Sequence, residues 1–137
     1  MNDIETLEGH FVKPNWITRE QIRATRDTHI YLYGDTRELD AKGGQARAAR
    51  GEPNAFAIPV KYRSCYLDES SFFSDSLYEE QLTLMSDASN KVPIDNRIIV
   101  VLPKLGEGFS EMKKRAPRTY FYLKFMLSLY DNIWEPY

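Results

Sequence analysis

Apolar residues come along this chain in short dense runs set between polar turns, and three of the runs read as buried strands. Ile30-Tyr31-Leu32-Tyr33 holds no charged residue, as expected of a strand covered on both faces. Phe56-Ala57-Ile58 is a second such run, with Pro59 limiting its hydrogen bonding at the far end. Arg97-Ile98-Ile99-Val100-Val101-Leu102 is the clearest strand and is closed by Pro103-Lys104. Leu7-Glu8-Gly9-His10-Phe11-Val12 reads as a short edge strand ahead of Pro14.

Between the strands the pattern turns helical. Thr18 followed by Gln21 is a capping box and opens a short helix over 19–25. Gly43-Gly44 precedes the strong helix formers of 45–50, and Gly51-Glu52-Pro53-Asn54 stops them. Ser76 with Glu79 forms a second capping box, for a helix that puts Tyr78, Leu82 and Met85 on one face and ends near Ser89-Asn90. After the turn Gly106-Glu107-Gly108-Phe109 a helix starts near Ser110, and Pro117 kinks it or begins a new one. The final helix, about 117–130, is apolar except for Lys124 and Ser128, which predicts that it is largely buried. Trp134 and the tail are expected to cover one end of the core.

Strands alternating with helices predict one α/β domain over 1–137, three-layered, with a 1–16 N-terminal segment and a 131–137 tail. The units at 30–50 and 97–116 share a grammar of buried strand, glycine pair and basic helix, so their strand ends are expected side by side. Composition narrows the class. An apolar fraction of 42% and a charged fraction of 28% are those of a soluble globular protein. A net charge of −2 points to neither DNA, RNA nor an anionic membrane. Nine tyrosines and seven phenylalanines suit a surface that stacks on rings as well as a core. Cys65 is the only cysteine, which rules out an intrachain disulfide and a cysteine zinc cage. The start, Met1-Asn2-Asp3-Ile4-Glu5, has no apolar signal region, and the longest apolar run is broken by Lys124, so a cytoplasmic protein is expected.

Candidate chemistry is sparse. Gly43-Gly44 ahead of a helix presents N–H groups to an anion, or else supplies a turn of positive φ. Gly106-Glu107-Gly108 is the same signal a second time. Asp35, where a strand leaves the sheet, can accept from a base or ribose, cap an Asx-turn, or act as a weak catalytic candidate by activating a water. Arg50, Lys61 and Lys104 sit near element ends and can neutralise phosphate. His29 opens a strand and reads as structural, and Cys65 reads as a half-buried thiol. No Ser-His-Asp, Cys-His or metal-ligand spacing stands out, and no cofactor is expected.

Tyr33-Gly34-Asp35, Gly43-Gly44-Gln45-Ala46, Arg50-Gly51-Glu52-Pro53-Asn54-Ala55, Ile58-Pro59-Val60-Lys61 and Arg115-Ala116-Pro117 resemble a family of small tailed-phage proteins. Its pattern runs FGDN, GGQA, RGEPNA-GIPTK, a GLGTG-like turn and RAPKT. That family is similar to macrodomains, which bind ADP-ribose and related nucleotides between two glycine-bearing loops. The resemblance implies a mixed sheet flanked by helices. It implies a first loop at Gly43, Gly44 and Gln45, a second at Gly106, Gly108, Phe109 and Ser110, and a cleft floor at Asp35 and Thr36. Arg50, Asn54, Lys61 and Lys104 complete the ligand-binding set. Thr36 stands where the family has Asn, and Phe109 replaces a small residue and can stack on a base. The implied function is capture of an ADP-ribose-like nucleotide, such as a host signalling nucleotide. The alternatives are a hydrolase of ADP-ribose with Asp35 placing a water, and a module that binds a host protein through its acidic 68–80 segment. The aromatic-rich final helix leaves a homodimer open.

Overall fold

Thr18 opens the first described helix as its pattern predicts. In a computed structural model, which describes residues 17–41, 44–65, 68–102, 105, 110–130 and 133–134, the Thr18 hydroxyl accepts from the Gln21 N–H at 3.1 Å. The Gln21 side chain accepts in return from the Thr18 N–H at 2.7 Å. Helix α1 (Arg19–Ala24) follows, with Ile22 fully buried. Strand β1 (His29–Thr36) then runs through the middle of the molecule, longer than its apolar run because Gly34, Asp35 and Thr36 continue the ladder. Its alternate side chains enter two cores. Ile30 and Leu32 join one apolar cluster, Tyr31 and Tyr33 the other.

Helix α2 (Gly44–Ala49) leads to β2 (Ala55–Lys61), helix α3 (Tyr78–Ser89) to β3 (Ile98–Val101), and α4 (Met112–Arg115) with α5 (Pro117–Leu127) to β4 (Ile133–Trp134). The strand order is β2-β1-β3-β4. The α/β expectation therefore holds. A mixed sheet was expected, but every ladder among the described residues is parallel. The reason is that each strand connection is a helical crossover. Among the described residues the antiparallel pairing is the isolated bridge between Lys61 and Phe72. The two similar units do contribute neighbouring strands, since β1 pairs directly with β3, but β3 ends opposite Leu32 while β1 runs on to Thr36.

Four expectations change. Pro59 does not end its strand: β2 is an edge, where a missing N–H is tolerated, and the ladder runs on to Lys61 across a register shift opposite Asp35 and Thr36. The Ser76–Glu79 box does not form. A 3-10 turn, Asp75–Leu77, precedes α3, and Ser76 shares a hydrogen bond with Ser74 instead. Asp75 is drawn to another helix, accepting from the N–H groups of Arg118 and Thr119 at 3.1 and 3.2 Å and so capping α5, where Pro117 takes the first position. Helix α5 is only half buried: Leu123, Met126 and Leu127 face the core, while Phe121 (74%) and Phe125 (53%), with Leu129 (65%) in the turn that follows, are exposed. Finally, the Cys65 thiol is exposed rather than half-buried.

Trp134 pairs beside Val100 in a two-residue edge strand. The predicted strand at 7–12 lies outside the described residues. Among those residues no helix is long and apolar enough to cross a membrane.

Candidate functional site at the carboxyl edge of the sheet

Asp35 and Thr36 end β1 at the carboxyl edge, beside Lys61 at the end of β2. The Asp35 side chain is fully buried, and its acceptor positions are in use. Oδ1 accepts from the N–H groups of Thr36 (2.7 Å) and Ala41 (3.1 Å). Oδ2 accepts from Nε and a terminal nitrogen of Arg50, at 3.0 and 2.6 Å. Arg50 also donates to the Ala41 carbonyl at 2.8 Å. A carboxylate offers about four lone-pair sites, so this geometry leaves none for a ribose or a catalytic water. Asp35 ties the loop 37–41 to the end of α2. The Thr36 hydroxyl donates to Asp40 at 2.5 Å and accepts from the Asp40 N–H, which closes the same loop from the other side.

The other motif residues also act inside the fold. Gln45 bonds both backbone groups of Ile17, accepting at 2.7 Å and donating at 2.8 Å, much as a neighbouring strand would. Gly51 carries φ +92°, a left-handed turn after α2 that suits glycine. Glu52 gathers Arg19 and Arg23 of α1. Burial would raise its pKa, but the hydrogen bonds from Arg19 and Arg23 outweigh burial and hold it below the ordinary value. Asn54, wholly buried, donates to the carbonyls of Ile22 (2.9 Å) and His29 (3.1 Å), joining α1 to the start of β1.

Lys61 is different. It is a buried lysine at the end of an edge strand, donating to the Ser64 carbonyl at 3.3 Å with its ammonium 4.4 Å from the centre of the Phe72 ring. Arg115 lies over the same ring at 3.8 Å and is held by Glu69 and Glu111. Burial lowers the Lys61 pKa, with Cys65 and Glu111 opposing that shift. The Lys61, Phe72 and Arg115 cluster was not legible in the sequence, because the antiparallel bridge brings Phe72 to Lys61 and the Phe72 ring meets Arg115, neither of which spacing points to. Ser110 is buried nearby in sequence to Glu111, and Gly44 opens α2. Gly43, Lys104, Gly106, Gly108 and Phe109 lie outside the described residues.

Two further observations bound the site. Among the described residues no group of His, Cys, Asp or Glu side chains is placed to hold a metal ion. A depression of about 480 Å³ lies at the opposite edge, lined by Asp27, Thr28, Asp95, Asn96, Arg97 and Ile98. There Arg97 is already forked onto Asp95, and the position is not where parallel sheets take ligands.

Residues 12–126 match a family of unknown function (DUF7831), and the chain belongs to that family. No curated protein and no solved structure matches it.

Proposed function

We propose that the carboxyl edge of the sheet binds a small phosphorylated nucleoside of the ADP-ribose type, in a macrodomain-like cleft between the loops that follow β1 and β3. The observation that supports this most is the strand order. The chain leaves β1 for β2 on one side, then returns past β1 to β3 on the other. Successive connections diverge at such a point, and open α/β sheets take their ligands in the crevice beyond it. Lys61 adds a cation at the same edge, held in place by the Phe72 ring. A captured host signalling nucleotide fits this chemistry.

Binding without turnover is the reading preferred over hydrolysis. A hydrolase here would rely on Asp35 to hold a water, and both of its oxygens are already taken by Thr36, Ala41 and Arg50.

Thermal unfolding of the full chain with ADP-ribose, NAD, cyclic ADP-ribose and cyclic dinucleotides tests the proposal. A ligand at 100 times its Kd stabilises by about 2.7 kcal/mol, which is a shift of several degrees, and Lys61→Met should reduce it. No stabilisation by any of these at about millimolar concentration would overturn the reading.

A further inference from the structure

The outer face of α5 carries Phe121 and Phe125 at i and i+4, and Leu129 follows in the turn just past its end; each is more than half exposed. Scattered apolar side chains on a surface are ordinary, but a contiguous stripe marks a contact. Its surroundings say what kind. Residues 112–130 hold five of the 18 basic residues (Lys113, Lys114, Arg115, Arg118 and Lys124) and none of the 20 acidic ones. The neighbouring helix α3 shows the opposite sign, with Glu79, Glu80 and Asp87 exposed. An anionic membrane or a nucleic acid would meet both signs at once and be repelled by α3. A surface that carries both signs beside an apolar stripe is instead complementary to itself.

The geometry makes this specific. Tyr122 lies on the α3 side of the stripe, because its hydroxyl bonds Ser86 at 2.8 Å, and Tyr130 bonds Ser89 at 2.6 Å in the same sense. The two helices therefore run in one direction, with Asp87 at the height of Tyr122. Two residues along a helix turn by about 200°, so Lys124 lies on the flank away from α3. A two-fold axis parallel to the helices sets each Lys124 flank over the partner's α3, at the height of its Asp87. An axis perpendicular to the helices would set α3 against α3, acid on acid.

We propose that this face docks a second copy of the chain, with the Phe121, Phe125 and Leu129 stripes meeting on a two-fold axis parallel to α5. A stable interface buries about 800 Å² per partner. Three apolar residues fall short of that, so the charged flanks take part and the dimer is weak.

Sedimentation velocity of the full chain at about 100 μM reads this directly. The expected result is a dimer mass for the wild type and a monomer mass for Phe125→Asp, with unchanged circular dichroism because Phe125 is half exposed. Asp87→Lys should weaken association tenfold or more, and Asp87→Lys combined with Lys124→Asp should restore it. A monomeric wild type overturns the proposal, whether or not it co-sediments with phosphatidylserine vesicles. So does a dimer indifferent to Phe125→Asp, or a charge swap that restores nothing.

Discussion

Arg50 sets two nitrogens on one oxygen of Asp35, at 3.0 and 2.6 Å, while the other oxygen holds the backbone of Thr36 and Ala41. The pair is half buried in an informative way: the carboxylate is wholly enclosed and the guanidinium is about one-third exposed. A buried charge deprived of its partner is costly, whereas a solvated one is not. The pair is therefore asymmetric, and its two members should respond differently to mutation.

Asp35→Asn leaves the shape but removes the charge that Arg50 and two N–H groups address. It should lower unfolding free energy by roughly 2–4 kcal/mol. Arg50→Gln leaves the carboxylate buried and only partly bonded, and should cost at least as much. Urea denaturation followed by circular dichroism measures both. A stable Asp35→Asn with altered ligand response would instead place Asp35 in the cleft.

Glu52 links the fold to acid. Its folded pKa lies below the ordinary 4.5, so its contribution is fully present above that value and is lost as pH falls through the folded pKa. Glu52→Gln should cost about 1–2 kcal/mol at neutral pH, a modest figure because Arg23 is largely exposed. The difference in Tm between wild type and Glu52→Gln should shrink steadily as pH is lowered from 5 towards 3.

Lys61 works in the opposite direction. Burial lowers its folded pKa below the ordinary 10.5, so the folded chain binds fewer protons than the unfolded one just below that value. Stability from this group therefore rises with pH through the window and is complete above the unfolded pKa. Relative to Lys61→Met, the wild type should gain Tm as pH rises towards 10.5. A difference that is flat across that range would mean the ammonium is not desolvated.

Asp75 caps a helix that begins more than forty residues later. Asp75→Ala removes the acceptor for two N–H groups of α5 and should cost about 1 kcal/mol. A drop in Tm of several degrees is expected, with Asp75→Asn recovering most of it, since an amide oxygen also accepts.

What was legible in the chain was local. The Thr18–Gln21 box, the strands around residues 30–33 and 98–101, and the helix start at Pro117 each depend on neighbours within a turn or on an unbroken apolar run, and each is present. What was not legible depended on distant partners. Ser76 and Glu79 have the right spacing, but Asp75 is claimed by α5 and the turn is wound as 3-10. The final helix has an apolar sequence, yet periodicity does not say how many of its faces find a neighbour. Asp35, Gln45, Arg50 and Asn54 looked like ligand contacts because polar residues in glycine-bearing turns often are. Their partners include Arg50 for Asp35 and the backbone of Ile17 and Ile22 for Gln45 and Asn54, as far as 32 residues away, which spacing does not point to.

The stitches made by Gln45, Glu52 and Asn54 to Ile17, Arg19, Arg23 and Ile22 all fall between residues 17 and 54. That first half should close as one cooperative unit, with its amides exchanging slowest and together. Selection on such a unit acts through folding yield, before any ligand is met. The same motif can then persist in relatives that bind different molecules, or none, and variation in the loops outside it is the better guide to what each one recognises.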